Sequence, residues 1–382
     1  MEPPVGIAFI TGQLGLGGAE QQLYYLLSGL DRSRFRPLVI TLGVHAEEYW
    51  SKPIARLGIP VRHVNRWLGR LVRAFRIATI LRQEKIHIVH GWVFHTNPYS
   101  AVAGRLAKVS LRLGSMRENY RGLPKRRVLR RMGYWGLDAL ITNSVHNACH
   151  VKKLDLTTAR VQIVPNGVFI PALVSQTDRS HLKKELGFSD TDILIGSVGR
   201  LDSNKNYSML LRAFAPLTQH WSGLRLLIIG DGPLKKELSE MAEDLDIASK
   251  VCLPGQMPQA ARFLPAMAIC CLTSYTEGMP NLIMEAAAAG LPVVSTRCGD
   301  SAYLVEDGVT GYLVSPNDDA GMSAHLGVLL ANAEHRLRMG SMGREKMRRE
   351  FGVNAMVSRM TQVYEQLLTE RKLAPATFRT AS

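Results

Sequence analysis

Short apolar segments alternate with helix-like segments along most of this chain, and the pattern starts again near its middle. The strand-like runs are Gly6–Thr11, Pro37–Leu42, Ile86–His90, Leu111–Met116, Ala139–Thr142 and Val161–Val164, then Ile193–Val198, Leu224–Ile229, Lys250–Leu253, Ala268–Leu272 and Pro292–Ser295. Strands that alternate with helices form a parallel sheet with helices on both faces. The pattern therefore predicts an α/β protein with two Rossmann-like β/α/β domains that face a central cleft.

The length of the chain and one turn-rich segment indicate where it divides. At 382 residues the chain is longer than one hydrophobic core usually supports, so two domains are expected. Pro165-Asn166-Gly167-Val168 and a polar run after it separate the two sets of strands, and such residues mark turns. We predict an N-terminal domain over residues 1–168, a second domain over 169–352, and a terminal segment over 353–382.

The composition and the cysteines favour a soluble cytosolic protein. Hydrophobic residues make up 46% and charged residues 21% of the chain, as in globular proteins. No apolar run approaches the ~18 residues of a transmembrane helix, and the first residues do not resemble a signal peptide. The cysteines are Cys149, Cys252, Cys270, Cys271 and Cys298, without a CxxC spacing. We expect no disulfide bond and no metal site.

The positive charge of the chain is concentrated in one stretch. Residues 66–131 contain sixteen Lys or Arg and two acids, a balance of 16 − 2 = +14 against +15 for the whole chain. The four that recur at helical spacing are Arg66, Arg70, Arg73 and Arg76, and Lys125–Arg131 forms a second cluster. A solvated basic face and a nucleic-acid site are alternatives, but no nucleic-acid-binding motif is present. Because apolar residues interleave with these charges, we favour an anionic membrane surface as the partner of residues 66–131.

A segment late in the chain combines two carboxylates with the start of a helix. Glu277 is followed by Gly278 and by Pro280, a favoured first helical residue, and an alanine-rich helix is predicted over Asn281–Ala289. Helix N-termini bind phosphate, and ionised carboxylates accept hydrogen bonds from sugar hydroxyls. A loop acid followed by a core helix is the simpler interpretation, but it leaves Glu285 unexplained among apolar neighbours. The segment therefore points to a sugar nucleotide.

Two loops that follow predicted strands are also candidates, because ligands of such folds bind at the carboxyl ends of strands. The first contains Gly15, Gly17 and Gly18, which let a backbone approach a phosphate or a sugar, although a tight strand-to-helix turn explains them equally well. The second contains Arg200 and Lys205. These two cations can converge on a diphosphate, although two unrelated surface cations remain an alternative.

The order of these motifs resembles that of glycosyltransferase family 4, also described as glycosyl transferases group 1. The shared motifs are Gly17-Gly18-Ala19-Glu20, Pro165-Asn166-Gly167-Val168, Gly199-Arg200 with Lys205-Asn206, Gly230-Asp231-Gly232-Pro233, and Glu277 with Glu285. The resemblance runs to about Phe351, and the apolar segment Met356–Leu368 resembles the helix that crosses back to the first domain. It implies the GT-B fold, a nucleotide-sugar donor, no metal or other cofactor, and retention of the donor's anomeric configuration.

The resemblance also implies roles for single residues. Arg200 and Lys205 would bind the diphosphate and stabilise the leaving nucleotide, in the place where other enzymes use a metal. Glu277 would contact the hydroxyls of the transferred sugar, and Glu285 would hold the ribose. The backbone that faces the sugar and phosphate after Glu277 is that of Gly278, Met279, Pro280, Asn281 and Leu282. Gly15, Gly17 and Gly18 would close over the phosphates and the acceptor.

One position departs from part of the family, in which a His follows a late strand of the first domain and helps at the reaction centre. Here the matching strand, Leu111–Met116, is followed by Arg117-Glu118-Asn119. His95, after the preceding strand, is the other candidate. We name Arg117 and His95 as catalytic candidates, while a polar side chain or the leaving phosphate could equally take the acceptor proton.

Together these observations predict a hexosyltransferase that extends a glycan in cell-surface polysaccharide or lipopolysaccharide biosynthesis. The expected donor is a UDP-sugar, with GDP-mannose second, and the expected acceptor is a lipid-linked glycan. The enzyme would be cytoplasmic and peripheral on the inner face of the cytoplasmic membrane, without a nucleic-acid partner. The alternatives are a sugar-nucleotide epimerase on the same scaffold and a basic nucleic-acid-binding protein without activity.

Overall fold

The chain forms two compact units, each of which contains a parallel sheet. The structure, a computed structural model, describes residues 3–43, 48–65, 67–117 and 134–371. The first unit comprises Met1–Gly167 with Val353–Ser382, and the second unit comprises Val168–Gly352. The predicted α/β class with two Rossmann-like domains is therefore confirmed.

The strands of the described residues form one sheet in each unit. They are β1 Val5–Thr11, β2 Phe35–Thr41, β3 Val61–His63, β4 Ile88–Gly91, β5 Leu111–Met116, β6 Ala139–Thr142, β7 Arg160–Ile163, β8 Ile193–Val198, β9 Leu224–Ile229, β10 Val251–Gly255, β11 Ile269–Leu272, β12 Val293–Thr296 and β13 Gly311–Val314. The order is β3-β2-β1-β4-β5-β6-β7 in the first unit and β10-β9-β8-β11-β12-β13 in the second. All neighbouring strands of these ranges pair in parallel.

Helices connect the strands and cover both faces of each sheet. They are α1 Gly18–Gly29, α2 Ser51–Arg56, α3 Arg70–Gln83, α4 Asn97–Leu106, α5 Val145–Lys153, α6 Gln176–Glu185, α7 Tyr207–Phe214, α8 Lys235–Asp244, α9 Asn281–Ala288, α10 Ser301–Leu304, α11 Asp319–Ala331, α12 Ala333–Glu350 and α13 Val353–Glu370. Within the described ranges, none of them combines the length and the apolar character that crossing a bilayer requires.

Several strand ends differ by one or two residues from the sequence prediction, two strands were missed, and both ends of α9 differ. β3 was missed because Val61–His63 is short and largely exposed at a sheet edge, and β13 because Gly311–Val314 is short and begins with glycine. Pro280 was expected to be the first helical residue, but its ψ of 110° is extended, so it precedes α9, which begins at Asn281. The same helix ends at Ala288 rather than Ala289.

The core of the first unit lies on both faces of its sheet because side chains alternate along each strand. Phe9 of β1 packs with α1 and with α13, which includes Met360, whereas Ile10 packs on the other face with α3 and α4. α3 buries Ala74, Ile77, Ala78 and Leu81, a spacing that forms one apolar helical stripe. The terminal helix, observed at Val353–Glu370, thus completes the core of the first unit.

The second unit is built in the same way. Leu194 of β8 packs with α9 on one face of the sheet, and Ile195 packs with α7 and α11 on the other. Because all strands are parallel, their carboxyl ends lie at one edge of the sheet, and the loops that follow them are neighbours there.

Candidate active site

Lys205 and Glu277 meet at the carboxyl edge of the second sheet. Lys205 lies in the loop after β8 and Glu277 in the loop after β11, and these two strands are hydrogen-bonded neighbours. The ammonium nitrogen of Lys205 is 2.6 Å from Oε1 of Glu277. The hydroxyl of Ser274 donates to the same carboxylate oxygen at 2.7 Å. Two residues chosen from the sequence are therefore brought together.

Backbone and amide hydrogen bonds hold the two loops in register. The side-chain amide of Asn204 donates to the carbonyl of Thr276 at 2.9 Å, and the Tyr275 N–H donates to the carbonyl of Asn204 at 2.8 Å. The hydroxyl of Thr273 donates to the carbonyl of Lys205 at 2.7 Å. Because these bonds fix both loops, the position of Lys205 relative to Glu277 does not depend on their own ion pair alone.

The exposure of the three charged candidates differs. The side chains of Lys205 and Glu277 are 24% and 16% exposed, so their attraction is less screened than that of a surface pair, while a ligand can still reach them. The side chain of Arg200 is 72% exposed, and its Nε lies 3.7 Å from Oδ2 of Asp202. The structure therefore places Arg200 on the same loop as Lys205, but turned to solvent.

A third loop, after β12, packs against Glu277 and was not found from the sequence. Gly299 has a φ of +53°, and a Cβ at this position would overlap the carbonyl oxygens of Glu277 and Gly278. The Asp300 N–H donates to the Gly278 carbonyl at 2.9 Å. Burial raises the pKa of the neighbouring Cys298 thiol to about 11, and the charge of Glu277 adds to this rise. The only indication of this loop in the sequence is the pair Gly299-Asp300 shortly after the apolar run of β12.

The start of α9 faces this edge with its backbone rather than its side chains. Met279 and Leu282 are buried in the core, so only their main-chain groups remain for a ligand. Proline has no side-chain acceptor, and Pro280 is the residue that would cap the helix. Pro280 makes no side-chain capping hydrogen bond, and the first turn of α9 presents the positive end of the helix dipole at this edge.

Glu285 lies on α9, with its side chain half-buried. It is close enough to Cys270 of β11 to affect that thiol: burial raises the pKa of Cys270 well above its usual value, and the charge of Glu285 adds to the rise. The sequence interpretation of Glu285 as an acid among apolar neighbours describes this position.

In the first unit, the carboxylate of Glu20 in α1 lies against the glycine loop. α1 begins at Gly18, with Gly17 in an extended conformation before it. The carboxylate of Glu20 folds back so closely that a Cβ on Gly17 would overlap it, whereas a Cβ on Gly15 would make only ordinary contact with the Gln13 side chain. Glu20 is buried in the first turn of α1, where a negative charge is stabilised by the helix dipole. A phosphate at this helix end would therefore meet a like charge.

His95 lies against the same loop. It sits in a single helical turn, Phe94–Thr96, which follows β4 and is anchored by the Thr96 hydroxyl, donating to the Ile10 carbonyl at 2.9 Å. A Cβ on Gly12 would overlap the imidazole of His95, so the ring rests directly on the Gly12 backbone. His95 is exposed. The structure thus places one proposed catalytic residue beside the glycine loop.

Arg117 is buried directly after β5. Its guanidinium lies 3.6 Å from the centre of the Trp92 ring, and Nη1 donates to Oδ1 of Asn166 at 3.2 Å. Burial lowers the pKa of Arg117 to about 9, so it remains charged at neutral pH. The Trp92 indole N–H donates to the Ala19 carbonyl of α1 at 2.7 Å. This geometry favours a role for Arg117 in positioning Trp92 and α1 over direct contact with a ligand.

Behind Arg117 lies a polar cluster that the sequence did not reveal. His90 is fully buried; its Nδ1 is 2.8 Å from the hydroxyl of Tyr364 in α13, and its Nε2 is 2.7 Å from the hydroxyl of Ser115. Burial lowers the pKa of His90 well below its usual value, and the charge of Arg117 lowers it further. His90 is therefore neutral at neutral pH.

Part of the predicted basic surface can be located. Arg70 and Arg76 are exposed on α3. Arg66, the acid Glu118 with Asn119, and the cluster Lys125–Arg131 lie outside the described residues. Over the ranges that the structure describes, no three His, Cys, Asp or Glu side chains form a group able to hold a metal ion. The absence of a metal in catalysis stays a prediction.

Comparison with known proteins identifies the family. A model described as Glycosyltransferase Family 4 matches residues 16–170, and one described as Glycosyl transferases group 1 matches residues 178–346. The chain is 26% identical to N-acetyl-alpha-D-glucosaminyl L-malate synthase of Bacillus anthracis, over 79% of this chain and 80% of that protein. It is 25% identical to the lipopolysaccharide core biosynthesis glycosyltransferase LpsE of Rhizobium meliloti, over 93% of this chain and 96% of that protein.

The fold agrees with solved structures. Anabaena HepE, in complex with UDP and glucose, superposes with a TM-score of 0.80 at 20% identity, over 95% of this chain and all of that chain. The chain belongs to the family 4, group 1 glycosyltransferases and has the GT-B fold. The prediction that it is a glycosyltransferase is confirmed at that level.

Proposed function

We propose that this glycosyltransferase transfers a hexose from a nucleotide sugar that is bound at the carboxyl edge of the second sheet. The observation that carries the proposal is the 2.6 Å pair of Lys205 and Glu277 at the N-terminal end of α9. A cation, a carboxylate and a set of helix amides within one small region match the diphosphate and the sugar hydroxyls of such a donor.

The chemistry follows from what each group can stabilise. The bond between the anomeric carbon and the β-phosphate oxygen breaks, and the acceptor hydroxyl oxygen forms the new bond to that carbon. Negative charge develops on the leaving phosphate, where Lys205 and the first amides of α9 stabilise it, assisted by Arg200 after its exposed side chain turns inward. We propose that no metal takes part, and that the anomeric configuration is retained.

Glu277 and Glu285 have different roles in this proposal. Glu277 accepts hydrogen bonds from the hydroxyls of the transferred sugar, and its contacts with Ser274 and Lys205 hold the carboxylate in place. Glu285, eight residues after Glu277 and within α9, holds the ribose. The acceptor proton passes to the leaving phosphate or to a polar side chain, with His95 as the exposed candidate of the first unit.

The glycine loop is better suited to hydroxyl groups than to phosphate. The carboxylate of Glu20 lies at the N-terminus of α1, so a sugar hydroxyl can donate to it while a phosphate is repelled. The backbone of Gly15 is approached only by the side chain of Gln13, at van der Waals distance, and a sugar can displace this side chain. We therefore assign Gly15, Gly17 and Gly18 to glycan binding.

The names of the relatives support the donor and the pathway. HepE was solved with UDP and glucose, which favours a UDP-sugar, with GDP-mannose as the second candidate. LpsE acts in lipopolysaccharide core biosynthesis, which favours a cell-surface glycan acceptor linked to a lipid. An enzyme of this kind works on the cytoplasmic membrane from its inner face, where the basic stretch of residues 66–131 would meet anionic lipids.

A donor screen tests the proposal. The purified full chain is incubated with a panel of UDP-sugars and GDP-mannose, with and without a bacterial lipid extract, and the released nucleotide is measured. We expect release from one donor class, accelerated by the lipid extract. Release of an altered sugar nucleotide without free nucleoside diphosphate would contradict a transferase.

A further inference from the structure

We propose that the start of α3 anchors the first unit in the interfacial layer of an anionic bilayer, with Leu71 and Phe75 inserted between lipid headgroups and Trp67 beside them. This rests on the membrane surface proposed above, and it adds the segment that inserts and the force that holds it there. Charge alone predicts only loose attraction to the membrane. The anchor predicts a component of binding that survives high salt.

Several large apolar side chains at the start of α3 are exposed. The exposed fractions are 75% for Trp67, 74% for Leu71, 49% for Val72 and 60% for Phe75. Single exposed apolar residues are ordinary, but a contiguous group of this size marks an interaction surface. Nothing in the core of the first unit requires these side chains.

Leu71 and Phe75 form an exposed apolar stripe that borders the buried face of the helix at its N-terminal end. Leu71 and Phe75 are four residues apart and therefore lie one turn apart on neighbouring positions of the helix surface, and the exposed Trp67 precedes the helix, which begins at Arg70. The face that packs on the sheet is formed by Ala74, Ile77, Ala78 and Leu81. The apolar surface of α3 is thus larger than the part that the fold covers, and its N-terminal end is left exposed.

Basic residues flank the stripe. Arg70 and Arg76 are exposed, and α3 contains no Asp or Glu. The other two arginines of the helix have structural contacts: the Arg73 guanidinium lies 5.3 Å from the Tyr99 ring centre, and Arg82 donates to the Leu106 carbonyl. Arg70 and Arg76 are therefore placed to bind lipid phosphates while the apolar stripe enters the layer below them.

An anionic bilayer fits both features of this surface, and other partners fit one. A nucleic acid would pair with the arginines but leave Leu71 and Phe75 in water. A second copy of the chain could cover the apolar stripe, but a two-fold contact along one helix would bring Arg70 and Arg76 of both copies close to each other. The lipid surface is therefore the occupant to test.

Flotation with vesicles of equal parts phosphatidylcholine and phosphatidylglycerol separates the two forces. The full chain is compared with the double variant Leu71→Gln/Phe75→Gln and with Arg70→Gln/Arg76→Gln, at low and high salt. We expect wild type to stay partly bound at high salt, and the apolar variant to lose that salt-resistant fraction, with at least about tenfold weaker partitioning. The arginine variant should lose mainly the binding that salt weakens.

Matched controls come from residues outside the patch. Leu337→Gln removes a leucine of α12 that is 60% exposed, and Lys152→Gln/Lys153→Gln removes two exposed charges from α5. Both should bind the vesicles like wild type. Brominated lipids should quench Trp emission in wild type, and Trp67→Phe should remove most of that quenching.

The outcomes distinguish the anchor from the proposals on which it rests. Unchanged binding of Leu71→Gln/Phe75→Gln at every salt concentration, without lipid quenching, overturns the anchor while the basic membrane surface stands. A dimer that this variant converts to a monomer, with vesicle binding intact, also overturns it. If wild type binds no vesicles, anchor and membrane surface both fail. Nucleotide release without lipid should be equal in all variants, so donor turnover is judged separately.

Discussion

The ammonium group of Lys205 lies 2.6 Å from the carboxylate of Glu277, although the two residues are 72 positions apart in the chain. The contact arises because β8 and β11 are neighbours in the second sheet and both loops leave the same edge. A cation and a carboxylate that can accept hydrogen bonds from sugar hydroxyls are thereby fixed beside the start of α9. The donor site proposed here is this arrangement.

The two acids of α9 and its preceding loop should respond differently to replacement. Glu277→Ala removes the contact to the transferred sugar, so turnover should fall by about a hundredfold with a smaller change in affinity for the free nucleoside diphosphate. Glu285→Ala should weaken binding of the nucleotide itself. Steady-state nucleotide release and calorimetric titration with the nucleoside diphosphate measure these effects. Equal nucleotide affinity in both variants would contradict the division of roles.

Gly299 should be required for activity because its backbone lies against the carbonyls of Glu277 and Gly278. Gly299→Ala forces these carbonyls to move, so we expect a loss of donor turnover in addition to a loss of stability. The control is Gly308→Ala: its φ of +76° is also positive, but nothing lies near its Cβ. Backbone strain alone should cost Gly308→Ala about 1 kcal/mol in urea unfolding, with full turnover. Normal turnover in Gly299→Ala would exclude the positioning role.

Replacing His95 or Gly12 should have the same effect on sugar transfer, because the two residues are in direct contact. Gly12→Ala displaces the imidazole that rests on the Gly12 backbone, so it should reduce sugar transfer to the acceptor much as His95→Ala does. Because both changes remove the same geometry, the double variant should be no slower than either single one. Transfer is measured against slow hydrolysis of the donor, which should persist. Additive losses would show that His95 and Gly12 contribute independently.

The buried His90 should make the fold sensitive to acid. Its pKa is held well below the ordinary 6.5, so below that pH the unfolded chain binds a proton that the folded chain does not. The free energy of unfolding should therefore fall as the pH drops below 6.5, by at most about 1.4 kcal/mol per pH unit. Urea unfolding of wild type and His90→Gln between neutral pH and about pH 5 measures this.

The variant His90→Gln should show a shallower loss, since the amide does not titrate. His146→Gln, which changes an exposed histidine of α5, should keep the wild-type slope. An identical slope in wild type and His90→Gln would assign the acid sensitivity to other groups.

Much of the fold followed from local patterns. The strands at Leu111–Met116, Ala139–Thr142, Ile193–Val198 and Leu224–Ile229 have the predicted bounds because each is a mainly apolar run between polar residues or glycines. The two missed edge strands gave a weaker signal, because β3 has only three residues and is largely exposed, and β13 has only four residues and begins with glycine.

The candidate site was only partly visible in the sequence for a similar reason. Lys205 and Glu277 stand out through their motifs, and parallel topology explains why they meet. The contact of Gly299 with the Glu277 carbonyl and the bond between His90 and Tyr364 depend on how loops and helices pack over long separations in the chain. The contact of the Glu20 carboxylate with Gly17 and the burial of Arg117 also leave no periodic pattern in the sequence from which they could be predicted.

The most direct test of the donor site is the affinity of the full chain for the nucleoside diphosphate of its donor, measured by calorimetric titration on Lys205→Met. The variant keeps the side-chain stem and removes the charge, so affinity should fall about ten- to a hundredfold, the value of one charge-assisted hydrogen bond. Lys236→Met, at an exposed lysine paired with Glu240 on α8, is the control and should bind like wild type. Equal affinity in wild type and Lys205→Met would contradict the assignment of the donor site.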